Sequence, residues 1–233
     1  MYTRDILFQK QHVTIAYRDD SDMSVIDEFF VDKMYRSLES IISNIQYPIL
    51  DIGAHIGVFS LYAHILNQKI KIIALEPHPD NVKLFQKNIS LNNIQNIELL
   101  PYALTHTPET TTTLLVSENT HNHTISQEHT NTSAQKQIKV PAITLEKLIK
   151  QSKLDTIGLL KIDIEGAEFG ILENMRDVWN KIQHIAVEYH DDQKNKHSDL
   201  EEIMRQNGFS VEHFPNKFDK RFGLLVGRNK RIN

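Results

Sequence analysis

From residue 49 onward, short runs rich in Ile, Leu and Val alternate with segments whose apolar residues recur every three or four positions. The runs are "ILDIGA" (49–54), "KIIALEP" (71–77), "IELLPYAL" (97–104), "IGLLKIDIEG" (157–166), "HIAVEYH" (184–190), "FSVEHF" (209–214) and "FGLLVGR" (222–228). The first, second, fourth and fifth are nearly continuous in apolar character, which predicts parallel strands covered on both faces. Val58, Leu61 and Ile65, and then Val82, Phe85 and Ile89, each mark one face of an intervening helix. Pro79 suits the opening turn of the second of these helices. In "SDLEEIMRQNG", Ser198 stands three residues before Glu201 and predicts a capping box, with Gly208 as the C-terminal stop. The last two runs have no helix between them and predict an antiparallel hairpin at the sheet's edge. Together the pattern predicts an α/β fold with a doubly wound, Rossmann-like sheet and right-handed crossovers.

Two regions break this rhythm. Residues 1–48 combine a strand-like "HVTIAY" with an amphipathic stretch through Phe29, Phe30, Met34, Leu38 and Ile41, and are expected to form an N-terminal cap. Residues 105–156 carry "TTTLLVS", a polar tract over 119–135, and "IKVPAITLEKLI". The tract reads either as a linker or as a substrate-facing loop within an inserted β-hairpin at 105–140. The expectation is one domain over 1–233, with the Rossmann-like core at 49–228.

Composition narrows the function classes. The chain has 233 residues, 40% of them apolar, enough for one sizeable core. A formal net charge of −4 gives no pull toward nucleic acid or anionic membrane. Cysteine is absent, which excludes disulfides, thiolate nucleophiles and cysteine-ligated metals. No apolar run approaches the ~18 residues of a membrane span, and the start lacks the apolar core of a signal peptide. A soluble, cytoplasmic protein is expected, with neither nucleic acid nor membrane as partner.

The stretch "LDIGAHIGVFSL" (50–61) lies where a doubly wound fold binds its ligand, between the first strand and the first helix. A dinucleotide fingerprint anchored at Gly53 would need glycine at His55 and Val58, and no Gly-Lys-Ser/Thr follows. An acid in the strand, Asp51, repels phosphate and welcomes a cation, while Gly53 and Gly57 permit close backbone approach. Glu76, 19 residues beyond Gly57 at the end of the second strand, stands where an acid accepts ribose hydroxyls. A phosphate-free ribose joined to a cationic, amino-acid-like group describes S-adenosylmethionine.

"ILDIGAHIGVFSL", "ALEPHPDNVKLFQKNISLNN", "LLPYALTH", "ITLEKLI" and "LLKIDIEGAEFGILENM" resemble, in order and spacing, the motifs of the FkbM family of S-adenosylmethionine-dependent methyltransferases. "KIDIEGAE" is the most distinctive, and the resemblance covers roughly residues 25–228. It implies a class I methyltransferase fold of seven mostly parallel strands with the last antiparallel, and methyl transfer to a hydroxyl of a sugar, polyketide, glycan or other small metabolite. By the same resemblance Asp51, Gly53, Ala54 and Gly57 hold the methionine end of the cofactor and Glu76 the ribose, with Pro77 and His78 beside the adenine. His55, where the family often carries Asn, completes the turn. Tyr102, Ala103 and Leu104 stand where many class I enzymes place an acid for the adenine, so a backbone contact is expected at Ala103.

A hydroxyl acceptor must lose a proton, which calls for a general base or a metal. By strand alternation Lys161, Asp163 and Glu165 share one face, and Glu188 and His190 do the same on the next strand. Asp163, Glu165 and His190 are the candidate catalytic residues, with Asp163 also reaching the cofactor at the methyl-transfer centre. The same three residues would be the ligands of a divalent cation such as Mg2+ if the reaction is metal-dependent. A Lys161–Asp163 ion pair of purely structural role is a further reading. His121, His123 and His129 in the polar tract suggest substrate gating or recognition, with metal binding as the alternative. A nucleic-acid methyltransferase is disfavoured because no proline or aromatic residue follows "KID", and a non-catalytic cofactor-binding module because Asp163 and Glu165 are intact.

Overall fold

The structure, a computed structural model, describes residues 1–116, 136–191 and 194–232. Its centre is a seven-stranded sheet formed by β3 (Ile49–Ile52), β4 (Ile72–Leu75), β5 (Ile97–Leu100), β9 (Ile157–Ile162), β10 (Ile182–His190), β11 (Phe209–Pro215) and β12 (Phe222–Asn229). The strand order is β11-β12-β10-β9-β3-β4-β5, with β12 antiparallel to both neighbours and the β10-β9-β3-β4-β5 pairs parallel. Every residue of β3, β4 and β9 is buried, as their unbroken apolar runs require. Helices α3 (Val58–Leu66), α4 (Pro79–Leu91), α5 (Leu145–Gln151), α6 (Glu168–Glu173) and α7 (His197–Gln206) connect the strands. Two apolar clusters cover the two faces of the sheet, with Ile49, Ala74 and Leu159 in one and Leu50, Ile73 and Leu160 in the other. This is the doubly wound α/β sheet that the pattern predicts, with the antiparallel last strand that the family resemblance implies and all seven runs in the sheet. Among the described residues no helix is long and apolar enough to cross a membrane.

Several local expectations are corrected. The run at 97–104 is two strands: Pro101 has no N–H to continue the ladder, and Tyr102 N–H turns back to the Leu100 carbonyl (2.9 Å). The chain then starts β6 (Ala103–Leu104), which joins β7 (Thr111–Val116) and β8 (Lys136–Ile143) in a separate three-stranded sheet. Antiparallel β7 and β8 form the expected inserted hairpin, while the polar tract and its three histidines lie outside the described residues. Helix α7 starts one residue before Ser198, and its first N–H, from His197, donates to Asp191 Oδ1 (2.6 Å) in place of a capping box. Gly208 does follow the helix in the left-handed region, at φ +94°. The strand of Lys161 ends at Ile162, so Asp163 and Glu165 lie in the following turn, with Glu165 at φ +54°.

The N-terminal 48 residues contain a strand that the pattern did not reveal. β1 (Tyr2–Phe8) pairs with β2 (Gln11–Tyr17) across Gln9 and Lys10, both at positive φ, as a tight hairpin turn requires. Next come α1 (Asp20–Phe30) and, after a break at Lys33 (φ +56°), α2 (Glu39–Asn44). Asn88 of α4 fastens this segment to the core: it accepts from Ala16 N–H (2.7 Å) and donates to the carbonyls of Ala16 (3.2 Å) and Ile56 (2.9 Å). Phe29 of α1 stacks on Tyr35 with ring centroids 4.1 Å apart, and both rings are buried.

Candidate functional site

Strands β3, β4, β9 and β10 end along one edge of the sheet, and a cavity of about 320 Å³ opens there. Its floor comes from the strand ends, one wall from α1 and Tyr35, and another from β6 and Leu114 of β7. Parallel pairing sets Asp51 of β3 directly beside Lys161 of β9. These are charged groups inside otherwise apolar strands, so each needs a partner. Lys161 Nζ donates to the Gly53 carbonyl (2.9 Å) and stands 3.4 Å from Asp51 and 3.3 Å from Asp163. Burial opposes its charge, but Asp163 and Asp51 outweigh that and raise the lysine pKa. Ser60 of α3 donates to Asp51 at 2.6 Å.

The two glycines of the first turn have packing reasons. A Cβ on Gly53, at φ +78°, would lie 1.7 Å from the Asp163 carbonyl oxygen, and one on Gly57, at φ +90°, 2.1 Å from the Phe85 ring. Their absence of side chain admits the protein's own backbone and core. Gly53, Ala54, His55, Glu76, Pro77 and Ala103 all line the cavity. Asp51 and Gly57 do not: Asp51 is fully buried behind it, and His78 also stands outside the lining. Glu76 accepts from His55 N–H (2.9 Å), His78 N–H (2.8 Å) and Asn81 Nδ2 (3.2 Å), and burial raises its pKa.

His55 adopts φ +51°, a region that Asn, Asp and His enter more readily than other side chains. Its Nε2 lies 3.2 Å from Asp22 Oδ1, while its buried Nδ1 has no hydrogen-bond partner. Asp22 of α1 is fully buried and also receives Arg18 through three bonds of 2.7–2.9 Å. Burial alone would raise the Asp22 pKa, but the hydrogen bonds from Arg18 and His55 hold it well below the usual carboxylate range. Arg18 also donates to Asn81 Oδ1 (2.7 Å), so the N-terminal segment is tied to both His55 and the Glu76 cluster.

Across the cavity the side chains are acidic. Asp163, Glu165 and His190 each place one ligand atom within 4.8 Å of the others, the one such group among the described residues. His190 Nε2 is 3.4 Å from Glu165, and its Nδ1 is 3.7 Å from the buried Glu168. Glu188 accepts the Tyr35 hydroxyl, and Glu28 of α1 lines the same wall. Burial, reinforced by the neighbouring acids, pushes Glu28 and Glu165 up to about 8 and Glu188 up to about 7. Burial opposes a charged His190, yet Glu165, Glu168 and Glu188 hold its pKa well above the usual value.

All three candidate catalytic residues therefore meet in one cavity with most of the candidate cofactor residues. Glu28, Tyr35, Arg18, Asp22 and Asn81 belong to the same assembly and were not singled out in the sequence. Arg18 and Asp22 stand four apart, a spacing that could have marked them as a pair. The contacts that join Arg18 to Asn81, Asp22 to His55 and Tyr35 to Glu188 cross from the N-terminal segment to the core, and no short-range spacing marks those. The Lys161–Asp163 ion pair is present at 3.3 Å, and its lysine also serves Asp51.

The sequence matches the methyltransferase FkbM domain over residues 51–211. "Methyltransferase 1" of Beauveria bassiana is 26% identical over 205 residues, covering 79% of each chain. The "31-O-demethyl-FK506 methyltransferase FkbM" of Streptomyces tacrolimicus is 24% identical, covering 70% of this chain and 72% of its own. Among solved structures, a candidate methyltransferase of Streptococcus mutans in complex with SAH superposes with a TM-score of 0.51 at 11% identity, covering 84% of this chain and 97% of that one. The chain belongs to the FkbM family of S-adenosylmethionine-dependent methyltransferases.

Proposed function

We propose that the protein methylates a hydroxyl oxygen of a small metabolite or glycan, of the sugar or polyketide kind, using S-adenosylmethionine. The observation that carries this reading is the single cavity joining Ala54, His55, Glu76 and Ala103 to Asp163, Glu165 and His190. The donor set fits the cofactor: Glu76 presents a buried carboxylate toward a ribose, and His55 Nδ1 is a buried polar atom in need of a partner. The bound cofactor supplies the activated methyl group. Asp163, fixed by Lys161 and facing the cavity, orients the acceptor hydroxyl and takes its proton. The apolar wall from Phe29, Leu104 and Leu114 excludes water from the transfer. The name of the Streptomyces relative, which refers to a demethylated oxygen, supports oxygen as the acceptor atom.

The test is calorimetry with S-adenosylhomocysteine, followed by turnover of labelled cofactor on fractionated metabolite extracts with identification of the methylated product. Wild type should bind, Glu76→Ala should lose about tenfold or more in affinity, and Asp163→Asn should bind while losing turnover. Absence of binding would sink the cofactor assignment. A product methylated on nitrogen or carbon would replace the oxygen reading.

A further inference from the structure

We propose that Asp163, Glu165 and His190 bind a hard divalent cation, Mg2+ or Mn2+, which in turn holds the acceptor's oxygen. The three residues come from the β9–α6 turn and the end of β10, and all three line the cavity. Their ligand atoms lie within 4.8 Å of one another, so small side-chain rotations bring them to the ~3–4.4 Å that separates donors around one ion at metal–oxygen distances of ~2.0–2.2 Å. Two carboxylates with one imidazole suit Mg2+ or Mn2+ better than thiophilic metals.

A second observation concerns the imidazole. His190 presents Nε2 toward Glu165, while Nδ1 is buried and unpartnered, 3.7 Å from Glu168. Glu168 is 1% exposed and is itself held by the Ile164 N–H at 3.0 Å. A buried carboxylate behind the second ring nitrogen is how metal-bound histidines are oriented. A small rotation of the ring closes that hydrogen bond and leaves Nε2 for the ion. The surrounding charge points the same way. Glu28 and Glu188 face this group from α1 and β10, and the cation nearest to it, Lys161, is shared with Asp51.

The ion's role on the acceptor rests on the O-methyltransferase reading; its binding does not. A hydroxyl held by such an ion would be a stronger acid, and its proton would pass to the Asp163 carboxylate oxygen that does not bind the ion. Such a site favours acceptors with a second oxygen beside the reacting hydroxyl, because two oxygens chelate one ion.

The direct test is electron paramagnetic resonance of Mn2+, whose free six-line signal disappears on binding. Wild-type protein, stripped with chelator, should bind close to one equivalent, and Mg2+ should displace it. His190→Ala and Glu165→Gln should each weaken Mn2+ binding about tenfold or more, and Glu168→Gln, a positioning change, should weaken it by ~10–100-fold. Calorimetry with S-adenosylhomocysteine on each variant checks that the fold is intact. Mn2+ that fails to bind wild type, or binds equally to well-folded His190→Ala and Glu165→Gln variants, overturns the proposal. Rescue of the pocket's binding by an organic ammonium instead of Mn2+ also overturns it, assigning the acids to a cationic substrate. Loss of S-adenosylhomocysteine binding by wild type with Mn2+ binding retained would overturn the methyltransferase reading alone.

Discussion

Replacing Glu188 by Gln should stabilise the protein in chelator and without cofactor, and only at neutral and alkaline pH. Glu188 is half-buried beside Asp163, Glu28 and Glu165, and partial desolvation with the neighbouring acids pushes its pKa from 4.5 to about 7. A carboxyl with a raised folded-state pKa contributes stability below its unfolded value of 4.5. That contribution is lost as pH rises through about 7. The gap between 4.5 and about 7 corresponds, at ~1.4 kcal/mol per pH unit, to roughly 3 kcal/mol. His190 gives part of this back, since Glu188 is one of the acids that favour its charged form. Glu28 and Glu165 share the same repulsion, so removing one acid should recover about 1–3 kcal/mol at pH 8. Gln keeps an oxygen for the Tyr35 hydroxyl and nearly the same volume. For a chain of this size the gain is a rise in Tm of roughly 2–12 °C at pH 8 and little at pH 5. Calorimetric or urea unfolding at both pH values measures it, and any constant packing cost cancels in the difference. An equal effect at both pH values, or a loss confined to pH 8, would refute the account of the acidic wall.

Gly57→Ala should destabilise by about 2 kcal/mol or more, since its Cβ would lie 2.1 Å from the Phe85 ring and φ is +90°; urea unfolding reads this directly, and a neutral effect would contradict the tight α3–α4 approach. Asn88→Ala should cost about 2–4 kcal/mol, because three buried hydrogen bonds to Ala16 and Ile56 lose their partner. The same variant should show faster hydrogen exchange in β2 than in β9, and uniform exchange would mean that Asn88 does not fasten the N-terminal segment.

What the sequence determined on its own is local. The unbroken apolar runs of β3, β4 and β9 read as buried parallel strands and the helical spacing between them as crossovers, while the order of the strands came from the tertiary structure. Gly53, Glu76 and the "KIDIEGAE" stretch pointed to the edge where the cavity lies, the first two because they sit at strand ends and the last through the family resemblance. Tertiary structure decided which atoms those residues spend on the protein itself. Asp51 is consumed by Lys161 and Ser60, and Gly57 by Phe85, because register and helix packing, invisible in spacing, bring those partners within reach. The turn after β9, with Glu165 at positive φ, re-aims a side chain that simple alternation would have placed on the strand. The acidic wall is likewise a product of the fold. Glu28 and Tyr35 lie more than a hundred residues from Asp163 and Glu188, and only burial of α1 against the sheet's edge makes them one electrostatic unit.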